Sequence, residues 1–108
     1  MTAFPEPVST GLTRLARRWQ QLPLDQAVVM SGGLRAAIEE YAELVHPGVP
    51  VPRVPPAVMP DQLAVMLYDA HLAARLDVQS ACAHLARLLA DLAPPPGKPS
   101  GPPGPRTQ

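Results

Sequence analysis

The chain is short of several residues that commonly betray a function. It has one cysteine, Cys82, so no intrachain disulfide framework can brace it. Aromatic residues are scarce, with one Phe, one Trp and two Tyr, and a core filled instead by Leu, Val and Ala suits close-packed helices. Formal net charge is zero, which leaves no overall field to draw the molecule to nucleic acid or to a membrane surface. No apolar run approaches the roughly 18 residues of a membrane span, and no charged-then-apolar signal pattern opens the chain, so a cytoplasmic protein is expected. Asparagine is absent and lysine occurs once against eight arginines, a bias that points to a bacterial genome.

What the chain does have is proline, 16 residues in 108, all but Pro23 gathered at both ends and in one internal stretch. The segments between carry helical periodicity. Residues 1–8 read as an N-terminal tail that Pro5 and Pro7 keep out of helix. Ser9 or Thr10 then caps a first helix near 10–22, with Leu12, Leu15, Ala16, Trp19 and Leu22 along one stripe and Arg14, Arg17, Arg18 and Gln21 opposite. Gly11 weakens its first turn. A second helix, capped by Asp25, is expected to run to Val45. Its seam is Ala27, Met30, Leu34, Ala37, Tyr41 and Leu44, in steps of three and four, and Arg35 and Glu39 pair on its outer side. Ser31-Gly32-Gly33 predicts a kink or short break, since two glycines cost about 2 kcal/mol of helix propensity.

Residues 46–60 contain six prolines and read as an extended strap, too apolar through Val49, Val51, Val54 and Val58 to run free in solvent. A third helix is expected over 61–76 and a fourth, capped by Asp77, over 78–92. The stripe of the fourth is Val78, Ala81, Cys82, Leu85, Leu88, Leu89 and Leu92. The hinge between them is so short that they should fold back as an αα-hairpin. From Pro94 to Gln108 the composition is that of a disordered Pro/Gly-rich tail. The fold class is therefore all-α: a small four-helix bundle over 9–93, with the proline-rich strap between helices two and three.

The third helix organises the rest. Leu63, Met66, Leu67, Ala70 and Ala74 fall in one arc of its wheel, and Val65, Tyr68, Leu72 and Leu76 lie nearly opposite. A helix apolar on two opposed faces cannot satisfy both on a small core. Either the strap covers the second face or a partner does. That face, Val65, Tyr68, Leu72 and Leu76, is the candidate partner-binding site of a non-catalytic protein–protein interaction module. Such an adaptor would self-associate or dock a larger protein, with the tail as a tether.

Chemical sites are weaker. His71 and His84 would stand at similar height on a hairpin, with Asp69 and Cys82 two residues from each, but residues two apart on a helix diverge by about 200°. A thiol in an apolar stripe is a poor nucleophile. Ser31-Gly32-Gly33 lacks the lysine and preceding strand of a phosphate loop. No catalytic residue, cofactor, metal or small-molecule substrate is expected. Residues 72–88 resemble a helix-turn-helix, with Ala73 four residues before the turn at Asp77, and the resemblance implies an alternative role as a DNA-binding regulator. The pattern departs at Asp77, where glycine is usual, and at Ala83, where a branched apolar residue is. Residues 61–92 also carry four Asp against two Arg, net −2, which repels phosphate.

Overall fold

The computed structural model describes residues 3–92, and these form four helices and no strand. Helix α1 spans Glu6–Gln20, α2 Leu24–Val45, α3 Met59–Leu72 and α4 Val78–Leu92, with a single 3-10 turn, Pro56–Val58, leading into α3. The all-α bundle with an internal proline strap is thus what the chain forms. The tail at 94–108 lies outside the described residues.

The prolines near the N-terminus start α1 instead of excluding it, which corrects the reading of residues 1–8 as a tail. Pro5 holds the extended cap conformation (φ −60°, ψ 126°) and Pro7 sits in the first turn. The N–H groups of that turn have no intrahelical partner, so a residue without one costs nothing there. Glu6 adds a favourable charge at the positive end of the helix dipole. The earlier start puts Val8 in the core, fully buried. Pro23 plays the same opening role for α2, leaving Asp25 in the first turn and not at the cap.

Helix α2 passes through Ser31-Gly32-Gly33 without a break. The Ser31 hydroxyl donates to the Val28 carbonyl at 2.7 Å, and a Cβ added at either glycine would meet nothing within 4 Å. No close approach demands these glycines. Gly11 is different. A Cβ there would come within 3.1 Å of Leu85 Cδ1, so its absence lets α1 and α4 approach.

Helix α3 ends four residues before the position expected, at Leu72. Ala74 takes a left-handed φ of 57°. Its N–H donates to the His71 carbonyl at 3.0 Å and that of Arg75 to the Ala70 carbonyl at 2.8 Å, the paired bonds of a Schellman stop. Glycine usually occupies that position because any Cβ is crowded there, at about 1–2 kcal/mol. Ala74→Gly is therefore expected to stabilise the fold by about 1 kcal/mol, although the same change inside a helix would cost that much. A rise in the urea midpoint at unchanged slope is the check.

The helices do not pair as the hairpin reading supposed. Helix α3 packs chiefly on α2 and α4 chiefly on α1, with lesser contacts of α1 on α3 and α2 on α4. Arg35 near the middle of α2 binds the strap just before α3 starts, and Arg75 just after α3 binds the Leu44 carbonyl at the end of α2. Helices α2 and α3 thus run parallel, and the strap is the return path that makes this possible. Helices α1 and α4 also run parallel: Gly11 meets Leu85, and Arg18 Nε donates to the Leu92 carbonyl at 2.9 Å. That last bond satisfies an otherwise orphaned acceptor at the negative end of α4.

The core combines Val8, Leu15 and Trp19 of α1 with Leu34, Ile38 and Tyr41 of α2, Leu63 and Leu67 of α3, and Leu85 of α4. Side-chain donors clip the strap onto this body. Arg35 donates to the carbonyls of Val51 and Pro52, Gln62 donates to Pro52, and Trp19 Nε1 donates to Pro56 at 2.8 Å. Proline removes N–H donors but leaves the carbonyls, so a polyproline stretch can be held only by donors from elsewhere.

Candidate interaction surface

One side of α3 is sealed: Leu63, Leu67 and Ala70 are fully buried, and Met59 nearly so. The other carries Val65 at 53 % exposure, Tyr68 at 49 % and Leu72 at 60 %. Their i, i+3, i+7 spacing keeps the three on one side of the helix. The strap leaves all three exposed, although Gln62, one turn before Val65, holds the Pro52 carbonyl.

Leu76, read as the fourth member of this face, is not on the helix. The Schellman stop turns the chain at Ala74, and Leu76 is half-buried against the core. A contact invisible in the sequence pattern borders the patch instead. The Phe4 ring lies 5.7 Å from that of Tyr68 and edge-on to His71 at 5.6 Å. Arg75 donating to the Leu44 carbonyl sets Leu44, itself partly exposed, beside the end of α3. The surface is therefore a short apolar ridge with an aromatic edge at Phe4.

The other candidate groups are sent to separate neighbours. His84 Nδ1 is 2.9 Å from the Tyr41 hydroxyl. Burial, then the charge of Glu40, pushes the Tyr41 hydroxyl up to about 12, so it stays protonated and shares a hydrogen bond with the imidazole. His71 meets Phe4, on a different helix pair from His84. Among the described residues no group of three His, Cys, Asp or Glu is placed to hold a metal ion. Cys82 is half-buried against the core. Glu39 pairs with Arg35 at 2.9 Å, the one ion pair among the described residues, so the arginines of α1 are not matched to the carboxylates of α2.

Asp77 does cap α4. Its carbonyl accepts from Ala81 N–H at 2.9 Å, and its Oδ2 accepts from the Ser80 hydroxyl at 2.7 Å. The Ser80 hydroxyl, ahead of the backbone N–H groups of Ser80 and Gln79, holds the carboxyl below its ordinary value. A depressed folded-state pKa adds stability that is present above the unfolded value, about 3.9, and is lost as pH falls through the folded one. Asp77→Ala should therefore be less stable than the parent at neutral pH. The gap should close on acidification below about pH 4, read from urea midpoints across pH.

No helix among the described residues is long and apolar enough to cross a membrane. Set against known protein families, characterised proteins and solved structures, the chain finds no match in any of the three.

Proposed function

We propose that this chain is a non-catalytic interaction module, an adaptor or accessory protein, that self-associates or docks a larger protein through the outer side of α3. The observation that supports it is the exposure of Val65, Tyr68 and Leu72 on a helix whose opposite side is sealed in the core. Burying a Leu or Val side chain contributes about 1.5–3 kcal/mol, so a partner has several kcal/mol to gain by covering the ridge. A bacterial cytoplasm is the proposed setting, from the arginine-rich, asparagine-free composition.

The alternative, a DNA-binding regulator using residues 72–88, has less support. In a helix-turn-helix the two helices pack on each other across the turn, whereas α3 lies on α2 and α4 on α1. Leu72→Arg discriminates between a functional ridge and an idle one. It should leave helical content and urea midpoint unchanged and weaken association at least about tenfold, as sized by chromatography across a dilution series. A parent and variant that both run as monomers at every concentration and with extract from the source cell would contradict the reading.

A further inference from the structure

A second apolar surface, sharing no residue with the α3 ridge, lies at the junction of α1 and α2. Trp19, Leu22, Leu24, Ala27, Pro56 and Ala57 line an open groove of about 260 Å³. Leu24 at its rim is 71 % exposed, and Val28, one turn on, is exposed as well. We propose that this groove seats the start of the chain's own C-terminal segment, Ala93-Pro94-Pro95-Pro96-Gly97-Lys98.

Three observations select that occupant. The first is where the described chain ends. Because α4 runs parallel to α1, both finish at the same end of the bundle, and Arg18 ties the Leu92 carbonyl there at 2.9 Å. Trp19 walls a small cavity shared with Leu88 and Leu92 and also walls the groove, so the described chain ends, at Leu92, beside the groove's own tryptophan. The second is the chemistry of the site. Trp19 already holds one proline of this chain, its indole N–H donating to the Pro56 carbonyl. Polyproline segments dock on surfaces of this kind, apolar rings against the wall and carbonyls to side-chain donors. Trp19 N–H is taken by Pro56, but Gln20, exposed at the groove, brings an amide donor. The third is charge: Lys98 follows the triple proline, and Asp25 is exposed in the first turn of α2, beside the rim residue Leu24.

Energetics favour the tethered segment over a free peptide. A preformed polyproline II stretch loses little entropy on docking. Direct attachment supplies an effective concentration in the millimolar range, so even a weak contact is populated. A polyproline II stretch of five residues spans about 15 Å at 3.1 Å per residue, the reach available to residues 94–98.

The test uses the full chain with Cys82→Ser and Ser100→Cys, a nitroxide on the new thiol, and amide intensities read by NMR. Seating in cis predicts that the amides of Leu22, Leu24, Ala27 and Ala57 lose more than half their intensity, independently of protein concentration. Leu24→Asp, at an exposed position that does not hold the fold, should restore them. Broadening spread evenly over the surface, or centred on Val65, Tyr68 and Leu72, overturns the proposal. So does broadening that appears at the groove only when a spin-labelled copy is mixed with an unlabelled, isotope-enriched one, since the occupant is then a second molecule.

Discussion

Leu67→Ala is expected to destabilise the protein by about 2–5 kcal/mol, while Leu72→Ala, five residues along the same helix, should stay within about 0.5 kcal/mol of the parent. Leu67 is fully buried in the core, on a helix packed chiefly against α2, so truncation opens a cavity that its neighbours fill only in part. Leu72 is 60 % exposed and leaves none. Small domains hold about 5–15 kcal/mol in total, so the first change takes a large share of the stability. Urea midpoints of the two variants measure the contrast directly. Equal losses would mean that both sides of α3 are packed, and the ridge would cease to be a surface.

Trp19→Ala should have an effect of similar size, about 3–5 kcal/mol, for a different reason. Trp19 is the residue through which α1 holds the strap: its ring is 4 % exposed in the core and its Nε1 donates to the Pro56 carbonyl at 2.8 Å. The strap in turn sets the 3-10 turn from which α3 begins. Removing the indole therefore loosens the start of α3 as well as the core. Trp19→Phe keeps most of the ring and should recover part of the loss, with about 1–3 kcal/mol remaining for the uncompensated carbonyl and the smaller ring. Amide exchange separates the two contributions. The amides of Val58 and the first turn of α3 should exchange faster in both variants, and those of α4 faster in Trp19→Ala alone.

How far the sequence could be read depends on where each signal lies. Helix α4 was legible to the residue, because Asp77 and Ser80 form a local cap and the apolar stripe runs unbroken from Val78 to Leu92. The seam of α2 was legible through Leu34, Ala37 and Tyr41, although Ile38 and Ala42, buried beside it, fall outside a strict three-four repeat. The end of α3 was not, since alanine is the strongest helix former and Ala74 stops the helix in a conformation that glycine normally marks. The start of α1 was missed because proline is hostile to a helix interior but harmless in a first turn.

Helix pairing was the larger failure. A short hinge suggested neighbours, but parallel packing of α2 with α3 depends on the return path of the strap. That path is fixed by Arg35, Gln62 and Trp19 donating to backbone carbonyls that no side-chain pattern reveals. The candidate site was legible as far as helical spacing could take it: Val65, Tyr68 and Leu72 share a side, as their positions require. Leu76 left that side with the helix end, and Phe4 arrived through tertiary contact.

Hydroxyl-radical footprinting of the dilute, isolated chain tests the central claim most directly. Tyr68 and Leu72 should label heavily while Leu63 and Leu67 stay protected. Labelling of Tyr68 and Leu72 as low as that of Leu67 would show that the molecule covers its own ridge and has no docking surface on α3.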